Sequence, residues 1–435
     1  MKRLALSLFL VLALHAVAQT PLNLQQCIAR ATERNLQMQQ AELARRQQEI
    51  GLNSSKNARL PHVSASVGEH ISFGRGLTAN NTYEARNTSS ASFSVGASMP
   101  LYTGGRIGHE RERARLNLAA ATADVERLRE NLSLQVAQAY LQTLYLADVV
   151  TQSEENLRLA ERQAVRLRQA IASGKKAEVE AAEAAARIAQ DRMALVQAET
   201  NHRLALLELS QLLEFPTPDS LAVVRPDESE LRPVMGSPDE TFLLSVGDRP
   251  AIRAADLRIK AAEREVGIAR TDYLPKLSLN AGIGTNYYNT SGVNNMAFGR
   301  QLKDNFSQSI GLSLNIPIFN AHTTRNNVRS ARLALFNRQL QREEEKKALF
   351  KEIQNAFYNA RAAEQKYKAA KAAETAAETA LAAVTRKYEN GKANGTEFDE
   401  ARHKHFNAAT DRIAARYEFL FRTKILDFYR GEALQ

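Results

Sequence analysis

Residues 306–319 alternate between an almost wholly apolar set and a small, mostly polar set of side chains. Phe306, Gln308, Ile310, Leu312, Leu314, Ile316 and Ile318 fall on one side, and Ser307, Ser309, Gly311, Ser313, Asn315 and Pro317 on the other. Successive side chains of a strand point to opposite faces, so this pattern predicts a strand with one nearly apolar face. At about 13 residues the stretch exceeds the ~9–11 that a tilted strand needs to cross a bilayer, whereas strands of soluble sheets run nearer ~6. A half-buried soluble strand produces the same alternation. Residues 60–74, 91–102 and 275–288 read in the same way, and polar, Asn-rich segments separate the members of each pair. Around the strands, residues 24–57, 106–173, 175–214, 239–272, 322–389 and 392–429 are rich in Ala, Leu, Gln, Glu, Lys and Arg and predict helices. Five prolines between 216 and 238 predict an irregular connector.

The pattern occurs twice. Leu60-Pro61 recurs as Leu274-Pro275 at an offset of 214. Pro100 recurs as Pro317, Ala114-Arg115-Leu116 as Ala331-Arg332-Leu333, and Gly174-Lys175 as Gly391-Lys392, all at 217. The offset changes only across the first polar loop, where insertions are tolerated. Each repeat is therefore helix, strand pair, long helix and helix. The first covers residues 19–215 and the second 239–435, joined by the connector.

The long helices carry heptads. Leu349, Ile353, Ala356, Ala360, Ala363, Tyr367, Ala370, Glu374, Ala377, Leu381, Val384 and Tyr388 are spaced 4-3-4-3, with Glu374 the only polar break. Leu118, Val125, Leu132, Ala139 and Leu146 recur every seven. Sustained heptads predict coiled-coil packing. At 1.5 Å per residue, the helix over 106–173 spans ~100 Å, and each flanking helix ~50–60 Å. Two shorter helices stacked end to end match one long partner.

Composition narrows the class. The chain has 435 residues, a net charge of +10, no tryptophan and a single cysteine, Cys27, which reads as a buried small apolar residue. Lys2 and Arg3, an apolar run, and Ala16-Val17-Ala18 predict a secretory leader over residues 1–18. Lysines and arginines are interspersed with glutamates along helix faces, which describes a solvated helix surface and not a nucleic-acid footprint. No stretch of ~18 apolar residues follows the leader, so only a β-barrel could place this chain in a bilayer. Four strands cannot close, and an open edge is not tolerated in lipid. Three copies would supply twelve strands and a lumen, whereas eight strands fill with side chains.

Leu22-Asn23-Leu24-Gln25-Gln26-Cys27-Ile28-Ala29 with Asn35, Leu60-Pro61, Pro100-Leu101-Tyr102-Thr103-Gly104-Gly105-Arg106, and Tyr388 with Gly391 ahead of an acidic pair stand in this order. In these marks the mature chain resembles the TolC-like outer-membrane efflux proteins. The resemblance implies a mainly helical fold with transmembrane strands: a homotrimer whose twelve-stranded β-barrel in outer-membrane lipid continues into a coiled-coil helical barrel across the periplasm. It places 215–238 in an equatorial belt. It also implies a passive duct of an efflux pump or type I secretion system, docked on a periplasmic adaptor and an inner-membrane transporter, with no enzymatic role. A non-transporting coiled-coil envelope protein is the alternative, but such a rod has no use for strand hairpins of membrane-spanning length. The second repeat departs from the glycine-rich turn, having Asn320-Ala321-His322 after its strand.

The candidate site is the pair of helical-hairpin tips at the turns Gly174, Lys175 and Gly391, Lys392. Glu180 and Glu183 follow Gly174 by six and nine residues, and Glu397 and Glu400 follow Gly391 by the same spacing. An i, i+3 pair shares one helix face. Under three-fold symmetry the four carboxylates would form an acidic constriction, with Lys175 and Lys392 offsetting the repulsion. The resemblance adds Tyr388 and Gly391 to this tip. Solvated glutamates near a helix N-terminus give the same pattern. Tyr287, Tyr288, Phe73 and Phe298, near strand ends, suit an interfacial aromatic girdle or ordinary loop packing. His403 and His405 are two apart on a predicted helix, so they diverge and do not form a metal pair. No nucleophile–base set or phosphate loop stands out, and no cofactor is expected.

Overall fold

A computed structural model describes residues 21–77, 81–174, 176–225 and 231–432. The expected leader and Lys175 lie outside the described residues. In chain order the elements are β1 (Pro21–Leu22), α1 (Leu24–Arg34), α2 (Leu36–Asn57), β2 (His62–Ser72), β3 (Arg75–Leu77), β4 (Tyr83–Ala85), β5 (Thr88–Tyr102), α3 (Arg106–Ala172) and α4 (Val179–Leu212). They continue with β6 (Ala222–Val223), α5 (Pro238–Ser245), α6 (Pro250–Thr271), β7 (Lys276–Thr290), α7 (Phe298–Asp304), β8 (Ser307–Asn315), α8 (Thr323–Glu389) and α9 (Gly395–Tyr429).

Two of the expected helices are broken, each for a local reason. The helix expected over 24–57 divides at Asn35, whose backbone is extended at φ −59, ψ 134. Its side chain accepts a hydrogen bond from Gln37 N at 2.9 Å and so caps α2 while α1 ends. The helix expected over 239–272 divides ahead of Pro250, which lacks an N–H and disfavours helical backbone before it. Arg249 at that break is buried, donating to the Phe428 carbonyl at 2.7 Å and standing 3.3 Å from Glu130.

The chain forms two compact units, and each takes part of both sequence repeats. Residues Ala44–Thr122 and Ala254–Arg342 make the sheet unit, and the rest make the helical unit. The reason is pairing across the repeats: the antiparallel order β2-β5-β7-β8 puts β5 of the first repeat beside β7 of the second.

Directly paired residues share a face of the sheet. Val63, Ala97, Ala281 and Ile310 form one row, and Ala65, Val95, Ile283 and Gln308 the next. On the other face, Ser64, Gly96, Gly282 and Ser309 align, as do Ser66, Ser94, Gly284 and Ser307. The alternation read from one strand therefore builds a whole apolar face and a whole small polar face. Along β8 the apolar face is open: Ile310 is 78% and Leu312 67% exposed. The outer strands β2 and β8 each pair on one side only among the described residues.

The loop expected over 289–305 contains α7. Gln301 is buried, accepting from Tyr288 N at 3.0 Å and donating to the Tyr288 and Met296 carbonyls at 2.9 Å. Phe298 packs edge-on against Tyr287 and Phe93, with ring centroids 5.0 and 6.4 Å away. Phe298 and Tyr287 thus pack together, although Phe298, like Phe73 and Tyr288, is also exposed.

In the helical unit, Cys27, Val136, Leu209 and Leu213 are fully buried in one core cluster with Leu132 and Leu144. Burial pushes the Cys27 thiol up to about 12. The proline-rich connector is anchored to this core: β6 pairs in parallel with β1, Leu221 is buried, and the Tyr140 hydroxyl donates to the Val224 carbonyl. Along α8, Leu349, Ile353, Ala356, Ala360 and Ala363 are buried, as the heptad requires. Its polar break is paired, because Glu374 meets Arg412 of α9 at 2.5 Å.

Candidate functional site

Each hairpin tip turns on a glycine with left-handed backbone, Gly174 at φ +72 and Gly391 at φ +70. That conformation costs a non-glycine residue roughly 1–2 kcal/mol, which accounts for the repeated Gly-Lys. The second tip then restarts with a cap: the Asn394 side chain accepts from Glu397 N at 2.8 Å and opens α9. The first tip enters α4 with no side-chain cap.

The two tips share a concavity of about 530 Å³. Glu180, Glu183 and Arg187 of α4 line it with Tyr388 of α8 and Asp399, Glu400 and Arg402 of α9. Glu180, Glu183, Tyr388 and Glu400 are thus brought to one place. Glu397 is exposed and is not among the lining residues, and Gly174, Gly391 and Lys392 lie in the turns outside it.

Among the described residues, the basic partner at the first tip is Lys176, next to the lysine singled out in the sequence. Its Nζ stands 3.1 Å from Glu180 and 5.0 Å from the centre of the Tyr388 ring. Tyr388 in turn stacks on Phe398 at 5.2 Å. Burial pushes the Tyr388 phenol up, and the Lys176 ammonium opposes this. Glu400 is met by Lys404 at 2.6 Å, a hydrogen bond that holds its carboxyl below the usual range. Among the described residues neither Glu183 nor Glu397 has an ion-pair partner. Among the described residues, two of the four carboxylates therefore carry a lysine partner and two do not.

Behind the concavity lies a buried polar network that the sequence reading missed. Arg402 Nη1 donates to Asp191 Oδ2 at 2.8 Å and to the Asn156 carbonyl at 3.2 Å. Asn156 Nδ2 donates to Asp191 Oδ1 at 3.1 Å. Asp399 stands 3.7 Å from Arg402 and 3.9 Å from Arg187. The network joins α3, α4 and α9. A signal for it was present: Phe398, Arg402, Ala409 and Ile413 are all buried at heptad-compatible spacing, so Arg402 occupies a seam position. His403, beside it, is lowered by burial and by the guanidinium groups of Arg187 and Arg402.

Nothing in this arrangement resembles an acid–base or nucleophilic constellation. Among the described residues no group of His, Cys, Asp and Glu is placed to hold a metal ion. Its chemistry is that of a charged concavity between helix hairpins.

Comparison with known proteins gives a consistent result. The family described as Outer membrane efflux protein matches residues 27–213 and 245–427, more than half of the chain. The pyoverdine export outer membrane protein OpmQ of Pseudomonas aeruginosa is 29% identical over 270 residues, 60% of this chain and 54% of that protein. The chain spans about half the length of the curated relatives it matches first. Among solved structures, the outer membrane protein VceC of Vibrio cholerae superposes with a TM-score of 0.76 at 18% identity, covering 95% of this chain and 97% of that one. The open state of the MtrE outer membrane channel of Neisseria gonorrhoeae gives 0.74 at 22% identity, covering 95% and 89%. These likenesses establish the fold. The chain belongs to the outer membrane efflux protein family and is an outer-membrane protein.

Proposed function

We propose that three copies of this chain assemble into a passive exit duct, through which an energised partner in the inner membrane expels solutes from the periplasm. The observation that carries this reading is the sheet: one apolar face, one face of serine, glycine and asparagine, and an unpaired edge on each side. An open edge cannot persist in lipid, so the edges must pair between copies. With twelve strands the apolar rows face lipid and the small polar rows line a lumen.

In this reading the helices extend the duct through the periplasm, and the tips form its entrance. Glu180, Glu183, Glu397 and Glu400, repeated three-fold, make an acidic mouth with Tyr388 beside it. A periplasmic adaptor and an inner-membrane transporter dock there. The export role named for the OpmQ relative supports small molecules as cargo. The test is native mass measurement of detergent-purified protein together with planar-bilayer recording. A trimer that conducts supports the duct, whereas a stable monomer or dimer, or a non-conducting trimer with open tips, overturns it.

A further inference from the structure

A second concavity, of about 740 Å³, lies in the sheet unit where the helices meet the strands. Four arginines line it: Arg270 near the end of α6, and Arg325, Arg329 and Arg332 on the first turns of α8. No carboxylate lines it, and none of the four has an ion-pair partner among the described residues. Asp272, the acid nearest Arg270 in sequence, is already engaged by Arg106 at 3.1 Å and Lys276 at 2.9 Å. Arg325, Arg329 and Arg332 stand at i, i+4 and i+7 on one helix face, where like charges destabilise a helix. They also crowd the N-terminal end of α8, whose dipole already favours an anion. All four side chains are exposed, so solvent screens much of this repulsion, and a bound anion would offset the rest.

The rim is apolar. Tyr273 and Leu274 line the same concavity and are 53% and 40% exposed. Leu274 precedes the first residue of β7 by two positions, so this rim adjoins the foot of the sheet. Tyrosine and arginine belong where hydrocarbon gives way to water.

We propose that this concavity binds the phosphate headgroup of a phospholipid in the leaflet at the foot of the sheet. The inference rests on the reading of the sheet as membrane-spanning. Planar guanidinium groups offer paired N–H donors to phosphate oxygens. Tyr273 and Leu274 take the glycerol and the first methylenes of the chains. Free phosphate would satisfy the arginines but leave that rim without a partner, so the source assigned is lipid.

The experiment uses the full chain in a neutral detergent, titrated with dioleoylphosphatidylglycerol, with retained lipid counted by native mass spectrometry. Retention should be displaced by inorganic phosphate only in large excess, and dioleoylglycerol, which lacks the phosphate, should not be retained. Each basic side chain near an anionic lipid surface contributes about fivefold, so R325Q with R329Q and R332Q should weaken retention on the order of 100-fold. R329Q alone should cost about fivefold, and the triple lysine replacement should restore most of the binding. The charge-matched set R129Q, R203Q and K371Q, on exposed helix surface of the other unit, should leave retention unchanged.

Equal retention by the triple glutamine variant with wild-type circular dichroism overturns the proposal, as does equal loss in the charge-matched set. Displacement by an equimolar amount of inorganic phosphate overturns the lipid source. Wild-type protein that fails to enter liposomes is a different failure, because it removes the membrane reading on which the proposal stands.

Discussion

The guanidinium of Arg402 and the carboxylate of Asp191 meet at 2.8 Å with their side chains only 2% and 6% exposed. A buried pair is a modest net contributor to stability, but removing one partner leaves an uncompensated charge. Arg402→Met or Asp191→Leu should each destabilise the helical unit by about 3–5 kcal/mol. Arg402→Met combined with Asp191→Leu should recover a large part of that loss. Denaturant midpoints of the three variants check the coupling, and additive losses would remove it.

The tip carboxylates should not contribute equally. Glu180 and Glu400 carry lysine partners, whereas Glu183 and Glu397 have none among the described residues. In planar bilayers, divalent cations added on the periplasmic side should block the wild type. Glu183→Gln with Glu397→Gln should relieve that block more than Glu180→Gln with Glu400→Gln. Unchanged block in both double variants would leave four solvated glutamates and no acidic mouth.

The membrane register is tested on adjacent residues of β8. Leu312 pairs with Leu279 on the apolar face, and Ser313 with Ser278 on the polar face. Leu312→Arg should impair outer-membrane assembly, since a charge facing lipid near the midplane costs about 2–4 kcal/mol. Ser313→Arg should assemble and change single-channel conductance. Assembly yield and heat-resistant oligomer on gels separate the two outcomes.

The joint after β8 carries strain that the first repeat avoids. Gly104 and Gly105 adopt φ +64 and +86, and Ala321 and His322 occupy the corresponding joint at φ +52 and +64. Left-handed backbone disfavours residues bearing a Cβ by roughly 1–2 kcal/mol each, partly offset by the entropy glycine loses on folding. Ala321→Gly with His322→Gly should therefore stabilise the protein by about 1 kcal/mol. The converse change, Gly104→Ala, should destabilise it, because a Cβ there would come within 2.7 Å of Leu274 Cβ. Thermal midpoints of the variants decide both.

His403 makes the tip sensitive to acid. Its imidazole is lowered from the ordinary 6.5 by burial and by Arg187 and Arg402, against the opposing carboxylates of Asp191 and Asp399. The unfolded chain therefore takes up this proton at a higher pH than the folded one. The contribution to stability is present above about 6.5 and is lost as pH falls below it. Between pH 7.5 and 5.5 the wild type should lose more stability than His403→Gln, as measured by midpoint at each pH.

Much of the fold was legible in the chain because its periodicities are long and local. An alternating strand and a helix that keeps its heptad past Ala363 each declare which residues lie together, although the strand expected over 306–319 forms only over Ser307–Asn315. Duplication strengthened this, since Leu60-Pro61 and Leu274-Pro275 mark the same helix-to-strand transition twice. Short-range exceptions were less visible. Asn35 as a double cap depends on where one side chain points, and α7 depends on Gln301 finding backbone groups of Met296 and Tyr288.

The sequence by itself determined the element types, the two faces of the sheet and the acidic character of the tips, because each follows from residue type and period. Only tertiary structure decided which charges are cancelled. Lys176 reaches Glu180, Arg402 lies buried against Asp191 from 211 residues away, and four arginines from two helices converge on one cavity. Electrostatic energy depends on distance and burial, and neither is encoded by position along the chain until the helices have packed.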